Sequence, residues 1–472
     1  MLGAIRTKLS GDGLGARVMR GSALTFMGFG ASQVLRLGSN LILTRLLFPE
    51  AFGLMAIVTL FLTGLQMISD IGLATCIVRS KRGDEPIFLN TAWTLQIIRH
   101  TILALICCAI AGPVAAFYGE PVLHGLMYGI GFSVFLLGLR STRIASANKK
   151  ILLGRLTLMD MSCQILMICT MVGVAMVWES VWALMIGTLV ANLSKAILSH
   201  IMLPGVPNRL QLERAAVHEQ FHFGKYLFIS SGVTFLVENG DRVLLSKFLS
   251  LAYLGFYNIS FFFASVPMAL MGNFVHRVIF PLYSARPPAE SAANRRAISK
   301  TRFALTGGMF ALLFVLGLLG QWLIDFLYTE EYRDSGPILV IMSMALMPSL
   351  IIRTYPNILL SAGKSNIYMG FQIFRVVLQI TLLAVGLMQF GLIGAMLAQS
   401  VASLLIYPVL IYLIRPYRGE DFLHDSVFAA LSVVCAVVVF WVNGDALDRV
   451  LEISADGAVA ASVQPPATPL GE

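Results

Sequence analysis

The stretch GSNLILTRLLFPEAFGLMAIVTLFLTGLQMISDIG, residues 38–72, is two apolar runs joined by a tight turn at Phe48-Pro49-Glu50. It returns in altered form near mid-chain. GSNLILTRLL, 38–47, aligns with GDRVLLSKFL, 240–249, placing Gly38 on Gly240, Leu43 on Leu245, Thr44 on Ser246, Arg45 on Lys247 and, past the turn, Gly53 on Gly255. The chain reads as two related halves.

Hydrophobic residues make up 57% of the 472 and charged ones only 12%, with a mean hydropathy of +0.80. A soluble domain of that composition would expose large apolar patches, so the expected class is an all-α polytopic membrane protein. Helices are required because an open strand edge in lipid leaves backbone groups unpaired. About 20 apolar residues cross the hydrocarbon core. Runs of that order lie at about 21–47, 52–75, 88–117, 121–142, 156–178, 181–203, 224–249, 252–280, 303–327, 337–361, 365–389, 391–414 and 426–443. The expected organisation is a cytoplasmic segment over 1–20, six-helix lobes over 21–203 and 224–414, an amphipathic inter-lobe loop over 204–223, one extra span over 426–443 and a disordered tail over 444–472. Six spans separate the repeated segments, so both copies enter the membrane in the same direction and the repeat is parallel.

Basic residues test this order independently. With a cytoplasmic N-terminus, 24 of the 34 Lys and Arg fall in inside segments, and only Arg45, Lys247, Arg333 and Arg449 fall outside. That asymmetry is the positive-inside pattern, and it accounts for most of the net charge of +9. No basic folded surface is long enough for nucleic acid. The six cysteines lie in or beside apolar runs without CxxC spacing and read as packing residues.

LTRLLFPEAFGLMAIVTLFLTGLQMISDIGLATCIVR, followed by FLNTAWTLQ, resembles the polysaccharide transporter branch of the multidrug/oligosaccharidyl-lipid/polysaccharide exporter superfamily, the Wzx-type flippases. The resemblance rests on the turn Phe48-Pro49-Glu50-Ala51-Phe52-Gly53 and on Asp70-Ile71-Gly72-Leu73. It implies a twelve-helix core of two lobes in a bacterial inner membrane. The implied activity is moving undecaprenyl-diphosphate-linked oligosaccharide repeat units outward, with membrane lipids, a polysaccharide polymerase and a chain-length regulator as partners and no cofactor.

Ionisable groups in a bilayer cost about 2.5 to 3.5 kcal/mol each on insertion scales, so their positions are informative. Gln33, Arg36 and Asn40 share one helical face, and Gln372, Arg375 and Gln379 repeat that arrangement. Arg99, Arg242 and Arg353 lie within other runs. These are the candidate substrate-binding residues, five guanidiniums whose planar forks suit a diphosphate. Internal pairing is the rival reading: Glu238 with Arg242, and Asp70 with Arg36. Glu238, Asp241 and Asp70 are the ion-coupling candidates, and Lys195, near the inside end of its run, is expected to snorkel.

His218-Glu219-Gln220-Phe221-His222 matches H-E-x-x-H, the pattern of a zinc site on a helix. A third ligand is lacking nearby, so no metal is expected, and the setting with Leu210, Val217 and Phe221 suits a helix on the membrane surface. No P-loop and no G-x-S-x-G elbow occurs. The rival functions are a drug exporter, which would favour acidic groups; a membrane zinc protease or sugar polymerase; and a scaffold.

Overall fold

The computed structural model describes residues 14–69, 72–150 and 152–463. The expected interfacial residues Leu2, Ile5 and Leu9, together with Asp70, lie outside them, and so do the side chains of His222 and Glu238. Among the described residues every regular element is helical. They divide into two compact units, 1–235 and 236–472.

The first unit holds α1 (Leu14–Leu43), α2 (Pro49–Ile68), α3 (Leu73–Arg79), α4 (Pro86–Ala109), α5 (Ala111–Tyr118), α6 (Val122–Gly138), α7 (Arg143–Lys149), α8 (Leu153–Ala175) and α9 (Trp182–Ile201). The turn that stood out in the sequence is a helix start. Phe48 is extended, at φ −76° and ψ 157°, and Pro49 follows in the first turn of α2 with Glu50. Proline is tolerated there because its missing amide would be unpaired anyway, and the carboxylate complements the helix dipole. Gly72 enters α3 at φ 63°, a conformation that explains a glycine after Asp-Ile. Close helix contacts use small residues: a Cβ on Gly131 would meet Cys108, and one on Gly138 would meet His100. Ser32 and Gln164 bond reciprocally at 2.6 and 2.9 Å to join α1 and α8.

The segment 204–213 is not the surface helix expected of it. It runs extended across α4, tied through Arg209 N to Asn90 Oδ1 at 3.0 Å, Gln211 N to Thr94 Oγ1 at 2.9 Å and Glu213 N to Thr91 Oγ1 at 3.0 Å. The side-chain donors of Arg143 add bonds to the carbonyls of Leu203 and Val206, both at 3.1 Å. Helix α10 (Arg214–Phe248) begins only after this strap.

In the second unit, α10 is followed by α11 (Leu251–Phe274), α12 (Phe280–Ala285), α13 (Ala292–Leu327), α14 (Ser335–Ile352), α15 (Pro356–Ser361), α16 (Ser365–Ile414), α17 (Phe422–Val442) and α18 (Gly444–Val463). The repeat of the first turn is again a helix start, with Ser250, at the position of Phe48, accepting at Oγ from Tyr253 N at 3.4 Å. Helix α14 is apolar on every side and sits at the centre of this unit, nearly all of its residues buried, against α11, α13, α16 and α17.

Nine helices among the described residues are long and apolar enough to span a membrane, or ten with α6 and α7 taken as one span bent by 56°. Helix α16 carries two of the expected runs, because Gly391, at φ 61° and ψ −146°, turns the chain inside its 50 residues. Helices α1 and α10, which carry Arg36, Asp241 and Arg242, are not among the nine. The tail expected to be disordered is helical to Val463. Ala446, Val450 and Ile453 form a buried stripe, and Arg449 Nε pairs with Asp334 Oδ1 at 3.0 Å. That stripe is only three residues wide and its flanks are acidic, which hid it in the composition. Cys169 is exposed rather than packed.

Gly386 and Gly394 face each other across the turn in α16 so closely that a Cβ on either would overlap the other's backbone carbonyl. Gly394→Val should therefore cost about 2 kcal/mol or more, read as a lowered thermal midpoint of the purified protein. Lys149 Nζ lies 2.8 Å from Asp84 and holds that carboxyl below its ordinary value. The stability this adds is present above the unfolded carboxylate range, near pH ~4, and is lost as pH falls through the lower folded value. Because Asp84 is half-exposed, Lys149→Ala should cost less than about 1 kcal/mol at neutral pH and nothing further in acid, read from unfolding midpoints at the two pH values.

Candidate functional site

Each candidate cation has a defined local setting. On α1, Arg36 Nη1 lies 3.5 Å from Gln33 Oε1 on an exposed face, with Asn40 half-buried one turn on. On α4, Arg99 donates from Nη1 to Ser69 O at 3.2 Å, and its Nη2 lies 3.2 Å from His100 Nε2. Neighbouring Gln96 reaches the carbonyls of Gly138 and Arg140, both at 2.9 Å, so this helix face is stitched to the end of α6.

In the second unit, Arg242 on α10 stacks over the Phe261 ring at 4.3 Å, and its Nε is buried without a protein partner among the described residues. Among the described residues Asp241 forms no ion pair with an arginine. Its Oδ2 accepts from Tyr257 Oη at 2.7 Å. Arg353 follows α14, and a Cβ on Gly272 would stand 3.8 Å from its Nη2. Arg375 lies on α16, which packs against α14, the helix that Arg353 follows. Gln372 Oε1 is buried and has no partner among the described residues, whereas Gln379 donates to Gln399 Oε1 at 2.8 Å.

Other expectations resolve differently. Lys195 does not snorkel freely but pairs with Asp160 at 2.6 Å. The H-E-x-x-H residues fall on α10, where Glu219 accepts from Ser80 Oγ at 2.7 Å and Gln220 is fully buried. Among the described residues no three His, Cys, Asp or Glu side chains gather as a metal site would need.

Sequence reasoning missed two polar clusters. At the end of α6, Arg140 Nη2 donates to Asn192 Oδ1 at 2.7 Å, and Asn192 donates to Ser133 Oγ at 2.6 Å. At the start of α17, Arg302 is 1% exposed and meets Asp425 Oδ1 at 3.3 Å, while Tyr355 and Tyr407 donate to Asp425 Oδ2 at 2.6 and 2.9 Å. The available signal was Asp421, His424 and Asp425 at i, i+3, i+4 ahead of an apolar run, with Arg302 and Thr306 one turn apart on α13.

Comparison with known proteins agrees with this architecture. The family described as "Polysaccharide biosynthesis protein" matches residues 42–337. The lipopolysaccharide biosynthesis protein WzxC of Escherichia coli K12 is 20% identical over 81% of this chain and 77% of its own length. The succinoglycan biosynthesis transport protein ExoT of Rhizobium meliloti is 21% identical over 75% and 72%. Among solved structures, the lipid II flippase MurJ in an inward closed conformation superposes with a TM-score of 0.65 at 16% identity, covering 94% of this chain and 98% of that one. An inward-facing multidrug resistance transporter of the MATE family gives 0.59 at 12% identity, over 83% and 96%. The superpositions establish the fold, and the match over more than half of the chain establishes that it belongs to the polysaccharide biosynthesis protein family.

Proposed function

We propose that the protein flips undecaprenyl-diphosphate-linked oligosaccharide repeat units across the bacterial inner membrane, by alternating access, for exopolysaccharide, capsule or O-antigen synthesis. The observation that carries the reading is the set of five arginines on or beside the helices of a chain of this family: Arg36, Arg99, Arg242, Arg353 and Arg375. Guanidinium groups kept in a membrane protein at that cost suit an anionic head that must leave water. Gln33, Asn40, Gln372 and Gln379 supply neutral hydrogen bonds for sugars. Relatives described as a lipopolysaccharide biosynthesis protein and a succinoglycan transport protein support a polysaccharide precursor as cargo.

In this reading the basic loops face the cytoplasm, the N-terminus lies there, and a polymerase and chain-length regulator act on the delivered unit. Asp241 is the coupling carboxylate that best fits, because its partner is the tyrosine hydroxyl of Tyr257 rather than a fixed cation. The MATE likeness favours a second reading, export of amphipathic drugs. Its cargo would be cationic in most cases, and five arginines oppose that.

Replacing the five arginines together by glutamine separates the readings. A charge-assisted bond is worth about 1.5–3 kcal/mol, so losing even one or two lowers affinity at least about tenfold. Polysaccharide export should fall by that factor or more and lipid-linked repeat units should accumulate, with the protein at wild-type level in the membrane. Export at the wild-type rate would overturn the proposal.

A further inference from the structure

The cluster at the start of α17 differs from every other polar contact described above, because it sets a buried Arg302 against a buried Asp425 and a partly exposed Asp421, and the three charges do not cancel. Arg302 contributes one positive charge, and Asp425 and Asp421 one negative charge each, with Asp421 Oδ2 3.9 Å from Arg302 Nη1. With a neutral His424 ring the group carries one net negative charge. One added proton cancels it.

The hydrogen bonds say where that proton goes. Asp425 accepts four, from Tyr355, Tyr407, Arg302 and His424, which fills a carboxylate. Both tyrosine protons are committed to it. His424 is fully buried, its Nδ1 2.9 Å from Asp425 Oδ1 and its Nε2 3.0 Å from Thr306 Oγ1. Arg302 Nη2 also stands 3.2 Å from Nδ1, but it has Asp425 Oδ1 and the Ile351 carbonyl as acceptors, so Nδ1 carries its proton in either state and donates to the nearer carboxylate. Nε2 is the atom that changes: bare, it accepts from the Thr306 hydroxyl; protonated, it donates to the same oxygen. A threonine on a helix can then turn its own proton to the carbonyl one turn back, so the ring keeps a partner in both forms.

The remaining faces are closed by defined groups. Phe303 and Phe428 flank the ring with centroids at 5.1 and 4.8 Å. The Arg302 guanidinium lies 3.9 Å over Tyr355, and Tyr283 of α12 lies within its electrostatic reach. Asp421 is the partly exposed carboxylate, its side chain 17% open, and its backbone amide donates to Tyr355 Oη at 3.1 Å. Asp421, Tyr355, Asp425 and His424 Nδ1 thus form one hydrogen-bonded chain that fixes the ring, with Nε2 on its far side.

We propose that His424, set between Asp425 and Thr306, is a reversible proton-binding site that sets the net charge of the contact holding α17 to α13, α14 and α16. The site is a property of the folded chain and is measured without any transported substrate.

The test uses the full-length protein in detergent, with thermal unfolding followed between pH 5 and 8, where histidine titrates. Six other histidines contribute equally to wild type and to His424→Gln. The difference between their profiles isolates this ring, and the variant should lack an inflection that the wild type shows. Thr306→Val keeps the ring but removes the partner of Nε2, and should displace that inflection by about half a pH unit or more. Should His424→Gln fail to fold, histidine ring-nitrogen resonances of wild type and Thr306→Val replace it, and one titrating ring should move between the two. Superimposable profiles for wild type and His424→Gln, or no titrating ring displaced by Thr306→Val, would overturn the proposal.

Discussion

A backbone amide or carbonyl in hydrocarbon has no water to bond, so each must find its partner inside its own segment. That constraint fixes the architecture before any side chain is considered. It makes every run helical, and it turns each helix end into a place where bonds must be supplied by something else. The structure answers at each such place with a specific device: Pro49 opening α2, Gly72 leading into α3, Ser250 capping α11, and Arg143 feeding the carbonyls beyond α9. The points quoted from the sequence as turns are these termini.

Side chains then obey the same rule in a weaker form. Many polar groups on or beside these helices are kept with a partner: Ser32 with Gln164, Asp241 with Tyr257, Gln379 with Gln399, Arg140 with Asn192. Small residues do the complementary work by letting backbones approach, as Gly131, Gly138 and the Gly386–Gly394 pair do. Close packing and paired polar groups together replace the hydrophobic drive that lipid cannot supply.

Fold class was legible because hydropathy, basic-loop asymmetry and the repeated turn all report on the same constraint. The arginines were legible as residues out of place, but their neighbours were not, because a partner such as Ser69 for Arg99 or Phe261 for Arg242 lies on another helix. Arg302 was invisible for a different reason. Hydropathy clips a helix where its apolar run ends, whereas α13 extends from Ala292 and buries the residues before that run. The same clipping made the end of the chain read as disordered, since three buried residues on α18 do not raise an average. The strap over 204–213 was missed because its bonds are made by backbone amides, which carry no sequence signal.

Helix α17 brings the two carboxylates that face Arg302. A guanidinium that is 1% exposed cannot be left without them, since a buried charge stripped of its counter-charge costs about 3–5 kcal/mol. The thirteenth apolar run is accordingly no appendage to a self-sufficient bundle. A gene shortened ahead of Asp421 would yield a chain whose fault lies upstream of the cut, in α13, where Arg302 would be left buried without its counter-charges.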